Sequence, residues 1–167
     1  MRLLVVDDDA FVRVLLCLDL PDVELVEVTR VQEAVALFTR RERIDACVVD
    51  LRLADGDGLE VVRQARSREW TRNLPIVVLT AGYDEADAAE VYQAGADAYL
   101  AKPFVAEDVM AAIESVLPLD ATERRLRRRR LAKGVEVVDL HPMPEPEVAP
   151  EPGTLRRFWR SRAGAGS

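Results

Sequence analysis

Four separate places in this chain carry residue types that handle phosphoryl groups. Asp7, Asp8 and Asp9 stand together, Asp50 ends one apolar run, Thr80 ends another, and Lys102 precedes Pro103. Carboxylates gathered in one small volume raise one another's pKa, so such a cluster calls for a cation. Magnesium, or manganese in its place, suits an all-oxygen site of one or two carboxylates, water and phosphate oxygens. A carboxylate nucleophile, a metal ion, a hydroxyl and an ammonium are together the parts that phosphoryl transfer uses. Any single acid here would read as a solvated turn residue, and Asp9 reads as a helix cap. The whole set reads differently, because separate segments each supply a complementary group.

Those groups meet only if the segments between them fold as strands and helices. Five short apolar runs are strand candidates: Leu3–Val6, Glu24–Val28, Asp45–Val49, Pro75–Leu79 and Ala98–Ala101. Several are apolar at every position, as in strands buried on both faces of a parallel sheet. Helix signals alternate with them. Asp9 caps a helix over Ala10–Leu20, and Thr29-Arg30-Val31-Gln32 fits a capping box ahead of Glu33–Arg41. Gly58 and Leu59 open a third helix ending near Glu69, with Trp70 beyond it as a packing residue. Asp84 caps a fourth, which Gly95 ends, and a fifth runs from about Val105 to Val116 before Pro118. The alternation predicts an α/β, doubly wound (βα)5 three-layer sandwich with parallel strand order 2-1-3-4-5. Ligands in such sheets bind beyond the carboxyl ends of the strands, at the switch in strand order. Strands one and three are then neighbours, ~4.8 Å apart, and Asp7, Asp8 and Asp50 converge.

Composition narrows the class. Of 167 residues, 49% are hydrophobic and 32% charged, which is a globular balance. No apolar run is long enough to cross a bilayer and no signal peptide is visible, so the expected location is cytoplasmic. Cys17 and Cys47 lie in apolar segments and are expected as buried thiols. His141 is the single histidine, too little for a histidine-based metal site or a Ser-His-Asp triad. Residues 1–117 hold 23 Asp+Glu against 12 Lys+Arg, net −11, whereas residues 118–167 hold 7 against 11, net +4. The expected organisation is a body over residues 1–118, a basic helical extension over 119–140, a Pro/Glu-rich linker over 141–153 and a non-globular basic aromatic tail over 154–167. The arginine run Arg124–Arg130 is read first as a solvated helix, since it carries no strong nucleic-acid signal. The tail, with Phe158 and Trp159 among arginines, suits an anionic partner or a membrane surface.

Five motifs resemble the receiver domain of bacterial two-component response regulators, with the flavodoxin-like fold of the chemotaxis regulators. They are Val5-Val6-Asp7-Asp8-Asp9, Val48-Val49-Asp50-Leu51, Asp57-Gly58, Leu79-Thr80-Ala81 and the run from Gly95 to Phe104. The resemblance covers residues 1–117. It implies that Asp50 is the phosphoacceptor, that Asp8 and Asp50 bind the metal directly, that Asp7 helps through water, and that the Arg52 carbonyl completes the set. It implies that Lys102 pairs with the phosphoryl group across a cis Lys102–Pro103 bond, and that Thr80 and Tyr99 form a switch pair. The donor would be a histidine kinase or phosphotransfer protein. The output partner would meet the face made by the fourth helix, fifth strand and fifth helix. Two positions depart from the family pattern: Ala54 where proline is frequent, and Val31 where glycine is common. The implied protein is a phosphoacceptor switch and not an enzyme beyond its own phosphorylation and dephosphorylation, with no DNA-binding output domain in residues 118–167. Two alternatives stand beside it: an aspartate-nucleophile phosphohydrolase, and a DNA-binding regulator acting through the arginine run.

Overall fold

The computed structural model describes residues 1–82 and 85–134. Five parallel strands form the central sheet: β1 (Arg2–Val6), β2 (Glu24–Val28), β3 (Ala46–Asp50), β6 (Ile76–Thr80) and β7 (Ala98–Ala101). Their order is β2-β1-β3-β6-β7, which is the expected 2-1-3-4-5 once the short hairpin β4 (Arg52–Leu53) and β5 (Gly56–Asp57) is set aside. That hairpin has two residues per strand, too few for an alternation to show in sequence. Alternate strand residues face opposite layers. Leu3, Val5, Val48, Val77 and Leu79 pack with α1 (Ala10–Asp19) and α5 (Ala106–Glu114). Leu4, Val6, Val49, Ile76 and Val78 pack with α2 (Val31–Thr39), α3 (Gly58–Ser67) and α4 (Glu85–Ala94). Both faces are covered, which is why the inner strands β1, β3 and β6 read as nearly continuous apolar runs, while the edge strand β2 carries exposed Glu24 and Glu27.

Several boundaries differ from expectation for local reasons. β3 and β6 begin one residue late and end one residue late, so Asp50 and Thr80 are themselves the last strand residues. Asp45 stays outside its strand and accepts the Arg2 N–H on its side chain. At α2 the expected capping box does not form. Arg30 occupies the cap position without a side-chain bond, the Thr29 N–H donates to Glu33, and the Val31 N–H donates to Asp55 at 3.0 Å. α3 ends at Ser67 rather than near Glu69. Trp70 follows it half-exposed, donating from Nε1 to the Phe38 carbonyl at 2.8 Å and stacking under Arg41. Asp84 lies outside the described residues. Gly95 ends α4 at φ +110, a backbone angle that favours glycine. Cys47 is buried as expected, but Cys17 is exposed. α1 is apolar nearly all round, and Cys17 falls on its outward flank with Val14 and Leu18.

Beyond the fifth helix, α6 (Ala121–Leu131) carries the arginine run. Asp120 caps it, and Glu123 answers with a bond to the Asp120 N–H. One flank of α6 is turned onto the body. Arg124 donates to the Asn73 carbonyl at 2.5 Å, Arg128 donates to the Gly95 carbonyl at 2.8 Å, and Leu131 is buried. Below it lies Asp97, 1% exposed. Its Oδ2 accepts from Arg66 at 2.9 Å and from the Ile76 N–H at 3.0 Å, while its Oδ1 has no hydrogen bond and faces Arg128 Nε at 3.7 Å. Burial pulls the Arg66 guanidinium down to about 10, with Asp97 opposing, so it remains charged at neutral pH. The linker 141–153 and tail 154–167 lie outside the described residues, as do residues 135–140 of the expected extension. Among the described residues no helix is long and apolar enough to cross a membrane.

Candidate functional site

Parallel strands in this order end side by side, and their last residues bring the chemistry together. β1 ends at Val6, so Asp7 leaves the sheet beside Asp50, the last residue of β3. Thr80 ends β6, and Lys102 follows β7. Asp7, Asp8 and Asp50 each place a carboxylate oxygen within 4.8 Å of the others. Asp7 is fully buried and Asp50 nearly so, whereas Asp8 is exposed. Lys102 reaches in from the other side, its Nζ donating to Asp7 Oδ2 at 3.1 Å and to Asp50 Oδ2.

Backbone N–H groups aim these side chains. The Asp9 N–H donates to Asp7 Oδ1 at 2.8 Å, the Arg52 N–H to Asp50 Oδ1 at 2.9 Å, and the Ala54 N–H to Asp8 Oδ2 at 3.1 Å. The last of these bears on the sequence, because a proline at 54 has no N–H to give. Asp9 itself turns away, accepting the Phe11 N–H as the cap of α1. Behind Asp50 the chain passes very close. A Cβ on Gly58 would stand 1.9 Å from the Asp50 carbonyl oxygen, so only glycine fits. The Asp57-Gly58 motif was visible in sequence, but this reason for it was not.

Three carboxylates against one ammonium leave negative charge uncompensated. Burial drives the Asp7 carboxyl above its usual range, and Asp50 adds to that push, while the Asp9 N–H and Lys102 oppose it. For Lys102, burial works to lower the pKa, but the bond to Asp50 and the charge of Asp7 outweigh it and hold the ammonium above its ordinary value. The unmet charge, the all-oxygen donors and one exposed carboxylate fit a hard divalent cation. Thr80 is buried, its Oγ1 accepting the Gly82 N–H at 3.4 Å. Tyr99 is buried too and donates from its hydroxyl to the Gly82 carbonyl at 3.0 Å. The loop at Gly82 therefore touches both residues expected to act as a pair. Arg52 contributes its N–H to Asp50 and opens the β4–β5 hairpin, with its side chain exposed. The Lys102–Pro103 bond is cis. A cleft of about 530 Å³ between α2 and α3 is lined by Val31, Val35, Arg40 and Glu60, with no converging carboxylates, and lies apart from this chemistry.

Residues 3–114 match the family model of the response regulator receiver domain. The chain belongs to the response regulator receiver family. Receiver architecture also recurs among solved structures. A response regulator from Chloroflexus aurantiacus superposes with a TM-score of 0.63 at 31% identity, over 71% of this chain and 98% of that one. The receiver domain of the sensor histidine kinase PA1611 of Pseudomonas aeruginosa superposes at 0.61 with 30% identity, over 71% and 97%. That structure holds a magnesium ion in its active-site cleft. In sequence, the virulence transcriptional regulatory protein PhoP of Shigella flexneri is 36% identical over 153 residues, covering 84% of this chain and 67% of the relative. The family match ends at residue 114, so α6 lies outside the receiver span.

Proposed function

We propose that this receiver is a phosphorylation switch whose acceptor is the Asp50 carboxylate. The observation that carries the reading is the position of Asp50 at the end of β3, within reach of Asp7 and Asp8 and paired with Lys102. In the transfer, an Asp50 oxygen forms a bond to phosphorus as the phosphorus–nitrogen bond of a phosphohistidine donor breaks. The donor is a histidine kinase or phosphotransfer protein. Asp8 and Asp50, the Arg52 carbonyl, and Asp7 through water would hold magnesium or manganese. Such an ion, when bound, offsets charge on the phosphoryl oxygens. Lys102 adds its ammonium on the side facing β7, and Thr80 supplies a hydroxyl from β6. Thr80 and Tyr99, joined through Gly82, form the switch. It is read by an output protein on the face of α4, β7 and α5. The chain acts in the cytoplasm as a switch and not as an enzyme, its output carried by protein–protein contacts. Treatment with acetyl phosphate and Mg²⁺, followed by mass spectrometry, should place one adduct on Asp50 and none on an Asp50→Asn variant. Equal labelling of the variant sinks the assignment.

One observation favours a second reading. The PhoP relatives are named transcriptional regulatory proteins, and Arg125, Arg129 and Arg130 are exposed on α6. A regulator that meets DNA through those arginines would bind duplex DNA with a steep loss of affinity as salt rises.

A further inference from the structure

We propose that the cleft between α6 and the loop leading into β6 is a docking site for this chain's own acidic segment, Glu145 to Glu151. The cleft measures about 300 Å³ and is lined by Arg72, Asn73, Ala121, Thr122, Arg125 and Arg128. Arg72 comes from the body and Arg125 from α6, so the site exists only because α6 is docked. Neither Arg72 nor Arg125 has a carboxylate partner among the described residues, whereas Arg124 and Arg128 are occupied with carbonyls of the body. The N–H groups of Thr122 and Glu123 are taken by Asp120, so the guanidiniums and not the helix end carry the attraction. Two guanidiniums without a carboxylate partner among the described residues, beside an amide and a hydroxyl, form a receptor for carboxylates, which arginine binds in a fork.

The occupant follows from charge and tether. A long external polyanion would approach a body of net −11. Residues 135–153 hold five Asp+Glu and no Lys or Arg, and Glu145, Glu147 and Glu151 sit among prolines. Attachment in the same chain gives such a segment an effective concentration on the order of millimolar without any new contact. The reach suffices. From Gly134 to Glu145 the chain can extend up to ~36 Å, and Arg125 lies only ~14 Å back along the helix. Once seated, the acidic segment withholds the exposed arginines of α6 from other anions.

The full-length chain tests it by paramagnetic broadening. A nitroxide is placed at Val148→Cys in a Cys17→Ser background, Cys17 being the exposed thiol and Cys47 fully buried. At low salt the amide signals of Arg72, Asn73 and Arg125 should lose intensity, while those of Phe11 and Leu18 on α1 should not. The loss should vanish near 1 M salt, where the Debye length is ~3 Å, and in a chain carrying Glu145→Gln, Glu147→Gln and Glu151→Gln. Arg72→Gln with Arg125→Gln should abolish it as well. Unchanged intensities at low salt, or a loss that survives in the triple glutamine chain, overturn the proposal. A short DNA duplex provides the second arm. It should bind the triple glutamine chain more tightly than the unaltered one, and equal binding shows a cleft open to nucleic acid and rejects docking.

Discussion

At the carboxyl edge of the sheet three carboxylates cluster beside one ammonium that pairs with two of them, and at the amino edge one carboxylate is shared by two guanidiniums. Asp7 and Asp50 pair with Lys102, and Asp8 stands beside them, open to solvent. Asp97, nearly inaccessible, is enclosed by Arg66, Arg128 and the start of β6. The same strands, β6 and β7, connect the two places. The first cluster is short of positive charge and has room for more. The second is closed by the protein's own side chains. Ionic clusters of similar size thus differ in purpose, and the sign of the imbalance together with exposure tells them apart.

The largest effect should come from the closed edge. Asp97→Ala leaves Arg66 buried without its partner, and losing one member of a buried pair costs ~3–5 kcal/mol. The urea midpoint should fall accordingly, and a loss below ~1 kcal/mol would mean that the arginines are solvated after all. Next comes Gly58→Ala. The added Cβ must displace the Asp50 backbone, an overpacking cost of ~1–3 kcal/mol. Because Asp50 moves, Mg²⁺ affinity should drop in the same variant; unchanged affinity would separate the backbone strain from the acidic recess.

How much of this could be read beforehand depends on distance in sequence. Asp50, Thr80 and Lys102 were legible because each stands where an apolar run stops, and a run of buried strand residues can stop only at an edge. The sheet order placed them together without any contact being known. The cap of α2 was not legible. Thr29 and Gln32 have capping-box spacing, yet the bond that matters comes from Asp55, 24 residues away in a hairpin too short to announce itself. Cys17 was misplaced because apolar content, without a phase, cannot say which flank of α1 faces inward. The docking of α6 was hidden for a related reason. Six arginines in seven residues read as a solvated surface, and only the fold brings Asn73, Gly95 and Asp97 underneath two of them, Arg124 and Arg128.

Smaller changes sharpen the contrast between the two edges. Asp8→Asn should weaken Mg²⁺ binding about tenfold, ~1.4 kcal/mol, by calorimetric titration. Asp9→Asn should leave it nearly unchanged, since Asp9 is a helix cap and asparagine caps equally well. Equal losses would place the wrong aspartate in the recess. The least effect belongs to Arg127→Gln. Among the described residues Arg127 meets only the Ser115 hydroxyl, at 3.4 Å, and thermal unfolding should shift by no more than ~0.5 kcal/mol. A larger change would mean that α6 is held by its whole arginine face and not by the residues around Asp97.

The three backbone N–H groups in the acidic recess have a bearing on ion size. Asp7, Asp8 and Asp50 each commit one oxygen to a peptide donor, from Asp9, Ala54 and Arg52. In the proposed metal site, a carboxylate tethered in this way would offer an ion its other oxygen, which in Asp7 and Asp50 also meets Lys102. Calcium often takes both oxygens of a carboxylate and gathers six to eight donors at ~2.3–2.6 Å, whereas magnesium keeps a tight octahedron at ~2.0–2.1 Å and retains several waters. One-oxygen ligands with solvent on the Asp8 side match the smaller ion. At Ala54 a peptide nitrogen that proline would lack would thereby take part in the ion selectivity of the proposed site.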